Sequence, residues 1–367
     1  MMSKNLTALL LTFLATAPLA AQAITIDPHL DLPKDALSAG WNGRSDATSQ
    51  FDLDRARSSG LSAAGVALFV VQGPRDAASL ALAQKEIVAR DAAIHAIYEA
   101  NPTLAAPALT PADLRRNAAR HRFSVVETLL NTWPLGDDLN AFDHYYARGV
   151  RIVGFVHAGN NQFADSSRPA LQRGDRANEN GGLTPLGRRA VARLNDLGVL
   201  IDVSQLSDEA FDQVLALSRA PVIATHSDVR ALIDNGRNLT DAQLDAIAAK
   251  NGVVAINAFS RYLRKPAGAD PHGPIAEADR ATVADLVDAL DYAVKRIGID
   301  HVALSSDFNH GGGVKGWDDV GQLPNVTAEL KRRGYTPAQI AKIWSGNVLR
   351  VWQAAIDARD RTYRPAV

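Results

Sequence analysis

Near the start of the chain a histidine and a carboxylate stand two residues apart, in Ile26-Asp27-Pro28-His29-Leu30-Asp31-Leu32-Pro33. On a strand, residues i and i+2 point to the same face. An imidazole and a carboxylate so placed can chelate one divalent ion. Further polar residues close other apolar stretches: His157 after Val150, His226 after Pro221, and Asp307 after His301. A lone histidine in such a place is more often a packing or hydrogen-bonding residue. Histidines and aspartates converging on one rim instead make a site that can hold a metal and activate water.

The elements that must position these residues alternate along the chain. Short β-branched, apolar stretches predict strands at Ile24–His29, Gly65–Val71, Phe123–Leu130, Val150–His157, Gly198–Val203, Pro221–His226, Gly252–Phe259 and His301–Asp307. Such runs suit strands buried on both faces. Between them, helical spacing predicts Asp76–Ala100, Leu139–Ala147, Pro185–Asp196, Asp208–Ser218, Asp241–Lys250, Val283–Ile297 and Thr327–Gly334. Thr184-Pro185 and Ser207-Asp208-Glu209 are helix starts, and Gly198 and Gly298 are stops. The pattern predicts an α/β chain forming one (β/α)8 TIM-type barrel over residues 24–367. Ile340, Ile343, Trp344, Val348, Val351 and Trp352 recur at helical spacing and predict C-terminal helices packed on the barrel. Polar Asn160–Gly182 and Lys265–Ala278 are long loops, expected over the face where the strands end.

Composition narrows the partners. The 367-residue chain has 39 Lys plus Arg against 40 Asp plus Glu, so no field draws it to nucleic acid or an anionic membrane. There is no cysteine, which excludes disulfides and thiolate ligands. Residues 1–23 have the form of a cleavable secretory leader: Lys4, an apolar Leu6 to Leu14 segment, and Ala21-Gln22-Ala23 at the cleavage point. The apolar segment is too short to span a bilayer comfortably. The expectation is a periplasmic or secreted protein with no membrane span in the mature chain.

From about Ile26 to Trp352 the chain resembles the membrane (renal) dipeptidase family of zinc peptidases, within the amidohydrolase-like barrels. The resemblance lies in His29-Leu30-Asp31-Leu32-Pro33, Pro134-Leu135-Gly136-Asp137-Asp138-Leu139, Gly149-Val150-Arg151 through His157, and Gly182-Leu183-Thr184-Pro185-Leu186-Gly187. It continues in Leu217 to Ile223, Arg237-Asn238-Leu239, Ser306-Asp307-Phe308, and Trp344 to Val351. It implies a two-zinc site. His29, Asp31 and His226 match its metal ligands, and His157, Arg237 and Asp307 match its substrate-contacting residues. Two ligand positions depart. Where a bridging glutamate is expected the chain has Leu130, in Leu130-Asn131-Thr132-Trp133-Pro134-Leu135-Gly136. Where a histidine is expected it has Gln205, in Asp202-Val203-Ser204-Gln205-Leu206-Ser207. Leucine binds no metal, and a neutral amide is a poor zinc ligand. Two divalent ions about 4 Å apart repel by roughly 20 kcal/mol at an effective dielectric near 20, which a bridging carboxylate helps to offset. Glu127, three residues before Leu130, faces the other way on a regular strand.

The expected activity is therefore hydrolysis of short peptides with a free C-terminal carboxylate, using one zinc ion rather than two. His29, Asp31 and His226 would hold the metal, Asp307 would move the proton, His157 would stabilise the oxyanion, and Arg237 would hold the carboxylate. The alternative is an inactive relative that binds a peptide or amino acid on the same barrel. The resemblance also admits a homodimer.

Overall fold

A computed structural model describes residues 24–44, 48–266 and 275–366. The leader at residues 1–23 and residues 267–274 of the second long loop lie outside them. The strands are β1 Ile26–Asp31, β2 Ala63–Phe69, β3 Ala105–Pro107, β4 Phe123–Leu130, β5 Val150–Gly154, β6 Leu200–Asp202, β7 Ile223–Ala224, β8 Val253–Asn257 and β9 Val302–Ser305. Eight of them run in the order β1-β2-β4-β5-β6-β7-β8-β9, while β3 pairs off this path with β4. Every pairing is parallel. Asp31 N donates to Phe308 O at 2.9 Å and Asp307 N to His29 O at 3.2 Å, which draws the last strand to the first. The result is the expected (β/α)8 barrel.

Alternation along the strands sorts side chains into two cores. Val126 points inward, with Ile26, Ala63, Ile152, Leu200, Ile223 and Val253. This inner core is plugged from below by Val348, Val351 and Trp352 of the helix Asn347–Asp357. Val125 and Leu129 point outward and pack under the helices. Close approach sets a limit at Gly65, where a Cβ would lie 2.2 Å from Pro28 O, so β1 and β2 can pair there only around glycine.

Capping explains the helix starts. Asp76, Thr184, Ser207, Thr240 and Thr282 each accept a hydrogen bond from the backbone N–H three residues on. Helices at Leu53–Ser59 and Pro111–Ala119 and the short β3 were not expected, although Asp52 and Thr110-Pro111 supply the same signals. The helix expected at Thr327–Gly334 begins earlier, at Leu323, with Pro324 in its first turn. One placement is corrected in three strands: His157, His226 and Asp307 lie two or three residues beyond the strand ends Gly154, Ala224 and Ser305. There the ladder gives way to irregular bonds, such as Thr132 N to Phe155 O at 2.9 Å.

Candidate metal and substrate site

β1 carries Asp27, His29 and Asp31, all buried, and its register against β2 shifts between Asp27 and Leu30. Asp27 ties this strand to β9: its Oδ1 accepts from Ser306 N at 3.1 Å and Ser305 Oγ at 3.2 Å. Burial, only partly offset by these bonds, pushes its carboxyl up to about 6. Above it, His29 Nε2 lies 3.5 Å from Asp31 Oδ2 and 3.7 Å from Asp307 Oδ1. Burial disfavours the His29 imidazolium, but Asp31, Asp307 and Asp202 outweigh it and push His29 up to about 9. Asp307 has a left-handed backbone with φ 55°. Its Oδ2 accepts from Asn257 Nδ2 at 3.0 Å, leaving Oδ1 toward His29. Gly312 packs against that turn so closely that a Cβ would lie 2.3 Å from Asp307 O.

A second group of side chains forms an unbroken hydrogen-bonded chain. Thr225 Oγ1 donates to Asp202 Oδ2 at 2.5 Å and stands 2.7 Å from His226 Nδ1. With its hydroxyl proton on Asp202, the threonine oxygen accepts from His226 Nδ1–H, which fixes the tautomer. His226 Nε2 then accepts from the Gln205 amide nitrogen at 2.8 Å. Gln205 Oε1 accepts from Arg168 Nη2 at 2.8 Å. Arginine only donates, so the orientation of the Gln205 amide is settled. Gln205 itself sits at φ 70°. Burial, with His29 and Arg237 nearby, holds His226 well below the ordinary histidine range, in keeping with this neutral form.

His29, Asp31, Leu130, His157, Arg168, Gln205, Arg237, Phe259, Tyr262, Asp307 and His310 line one cavity of about 180 Å³. All the expected residues except His226 reach its wall, and His226 lies just behind, stacked on His29 at 3.9 Å between ring centres. Leu130 packs with Ala67 and Phe69. Glu127 faces out of the barrel, toward His95 at 3.3 Å, as its alternation with Leu130 requires. Arg237 donates to His226 O at 2.7 Å and Ser227 Oγ at 3.1 Å. Burial, with the charges of Arg168 and Arg237 and the neighbouring His310, holds His157 well below its ordinary value, so it is neutral. Arg168, Tyr262, Phe259 and His310 were not foreseen. Arg168 stands in the long polar loop with no periodicity to mark it, and only the folded loop brings it to the cavity.

The residues fit one cation better than two. His29 Nε2 and both Asp31 carboxylate oxygens are buried without a hydrogen-bond partner. With Asp307 they place donor atoms within 4.8 Å of one another. His226 is outside this group, and its Nε2 accepts from the Gln205 amide nitrogen. A second ion would find Leu130 and the nitrogen of Gln205 where donors are required. His29 and Asp31 therefore offer donors that fit a zinc ion with Asp307 Oδ1 beside it, and no carboxylate stands at Leu130 to bridge a second.

Comparison with known proteins points to one family. A family model for membrane dipeptidase, peptidase family M19, matches residues 15–365. Dipeptidase aclJ of Aspergillus oryzae is 31% identical over 261 residues, covering 70% of this chain and 58% of its own length. Dipeptidase tcpJ of Claviceps purpurea is 34% identical over 227 residues, 61% of this chain and 49% of its own. The chain thus spans about half the length of the curated relatives it matches. Among solved structures, the probable dipeptidase PvdM of Pseudomonas aeruginosa is 39% identical, covers 92% of this chain and 96% of its own, and superposes with a TM-score of 0.87. A metallo peptidase of Rhodobacter sphaeroides, solved with a phosphinate mimic of the dipeptide L-Ala-D-Ala, is 25% identical with a TM-score of 0.77, covering 91% and 99%. By the family match over nearly its whole length, with the barrel to carry it, the chain belongs to the membrane dipeptidase family of peptidases, M19.

Proposed function

We propose that this chain is an exported dipeptidase-like metallohydrolase that works with a single zinc ion on short peptides bearing a free carboxylate. The observation that carries the reading is the convergence of unpartnered, buried donor atoms of His29 and Asp31 with Asp307 in one cavity. Buried polar atoms left without partners are costly, and a ligand or ion that meets them explains their retention. A zinc ion held there would lower the pKa of its water and polarise the scissile carbonyl. The chain's own groups do the rest. Asp307, anchored through Oδ2, can take a proton on Oδ1 and return it to the leaving amine. Neutral His157, whose Nε2 stands 3.3 Å from Arg168 Nη2, keeps its proton on Nδ1 for the developing oxyanion. Arg237, buried and locked by two hydrogen bonds, holds the substrate carboxylate. Export, to the periplasm or the medium, rests on the leader-like residues 1–23.

A second reading has its own support. The Asp202–Thr225–His226–Gln205–Arg168 chain is satisfied without a metal, as it would be in a binding protein that keeps the carboxylate site and has lost catalysis. Metal content and turnover separate the two. Purified mature protein with about one zinc per chain and chelator-sensitive dipeptide hydrolysis supports the mononuclear enzyme. No zinc and no turnover, with dipeptide still bound, supports the binding protein.

A further inference from the structure

Two guanidinium groups line the same small cavity, those of Arg168 and Arg237. Among the described residues neither lies within 4.0 Å of a carboxylate. Asp31 and Asp307 turn to His29 instead. The Nε–H of each arginine is buried with no hydrogen-bond partner. Their remaining bonds go to neutral groups: Gln205 Oε1, His157 Nε2 and Tyr262 Oη for Arg168, and His226 O and Ser227 Oγ for Arg237. Arg237 is buried and Arg168 half-buried; a buried cation held by neutral dipoles alone is costly, and two cations in one cavity repel, so the arrangement is one that anions would relieve.

Arg168 is also built in rather than hanging over the opening. Its carbonyl accepts from Gly159 N at 2.8 Å, and its own N–H donates to Ser166 Oγ at 3.1 Å. Ser167 N donates to Gln205 O at 2.8 Å. Asp175 Oδ2 clasps the loop through Asn160 N at 2.7 Å and Ala170 N at 2.8 Å. The guanidinium is thus fixed before any ligand arrives, which lowers the entropy lost on binding.

We propose that Arg168 and Arg237 form a double anion site, and that the preferred substrate ends in an acidic residue, whose two carboxylates take one arginine each. The inference rests on the dipeptide reading of the cavity and deepens it. Arg237 receives the terminal carboxylate common to all such peptides. Arg168 receives the side-chain carboxylate and so sets specificity. A neutral carboxamide of the same shape keeps an acceptor for Arg168 but loses the charge-assisted pair.

The test compares Ala-Glu with Ala-Gln, each with an L- or a D-configured second residue, on the mature protein as purified. The readout is the ratio of kcat/KM values where the peptides are cleaved, and of Kd values where they are only bound. The expected preference for Ala-Glu is about tenfold or more, the size of one charge-assisted bond, in at least one configuration. It is expected to collapse to within about twofold in Arg168→Gln and to survive in part in Arg168→Lys, which keeps the charge. A wild-type ratio near one overturns this inference and leaves the dipeptide reading standing. A tenfold ratio that persists in Arg168→Gln overturns the assignment to Arg168. If neither peptide is cleaved or bound, the dipeptide reading and this inference fall together. The wild-type ratio decides the matter even if the variants fold poorly.

Discussion

Among the described residues, two trios, one buried and one with a half-buried histidine, have nearly the same composition. His29, Asp31 and Asp307 meet at the strand ends, while Asp91, His95 and Glu127 meet between the helix Ala77–Glu99 and the outer face of β4. Both bring their donor atoms within 4.8 Å. Only the second is bonded to an arginine. Arg148 Nε donates to Asp91 Oδ2 at 2.5 Å, and its Nη2 stands 3.4 Å from His95 Nδ1. Since arginine only donates, Nδ1 accepts and the proton sits on Nε2, toward Glu127 Oε2 at 3.3 Å. No lone pair of His95 remains for a metal. In the first trio His29 Nε2 has no hydrogen-bond partner. Residue types alone do not distinguish a metal site from a structural ion cluster; what already occupies the lone pairs does.

The comparison can be broken in four ways, from the largest effect down. Asp307→Asn is expected to lower dipeptide turnover by about two to four orders of magnitude, the usual worth of a positioned acid–base group, with an unchanged circular dichroism spectrum. Undiminished activity would remove Asp307 from proton transfer. In the same family of tests, His29→Ala is expected to abolish zinc binding, read by plasma mass spectrometry after dialysis, while His95→Ala leaves it intact. Loss in the second variant would mean that the outer trio is the metal site.

The outer trio makes its own prediction through pH. Burial, opposed by His95 and reinforced by Asp91, pushes Glu127 up to about 7. A raised folded pKa means that stability is fully present below the unfolded value near 4.5 and is lost as pH rises through about 7. His95, raised chiefly by Glu127, runs the same way. Glu127→Gln is therefore expected to flatten the stability curve between those limits, gaining up to about 3 kcal/mol on wild type at pH 8 relative to pH 4.5. Parallel urea-unfolding curves for the two proteins across that range would contradict it. The smallest effect is expected in the chain behind the cavity. Thr225→Val leaves Asp202 Oδ2 and His226 Nδ1 without their shared hydroxyl, at a cost of about 1–3 kcal/mol in denaturant unfolding. No cost would mean that His226 finds another partner or holds another tautomer.

Much of this was legible in the chain itself, for local reasons. Strand alternation sets His29 and Asp31 on one face and Glu127 opposite Leu130, because side chains reverse at each residue. Capping residues mark the helix starts, and the strand-to-helix alternation specifies a parallel barrel whose polar residues gather where the strands end. His157, Arg237, Asp307 and the two altered positions Leu130 and Gln205 all reach one cavity wall, as their order along the barrel requires. What tertiary structure alone decided is non-local. The Gln205 amide points its nitrogen at His226 and its oxygen at Arg168 because of partners 21 and 37 residues away in sequence. Asp307 comes to lie beside His29 and Asp31 because β9 closes on β1, while His226 stacks on His29 and meets Gln205. Arg168 enters the cavity because Asp175, Asn160 and Ser166 fold its loop back on itself. Hydrogen-bond partners chosen across loops follow from the closed fold, and no periodicity in the chain records them.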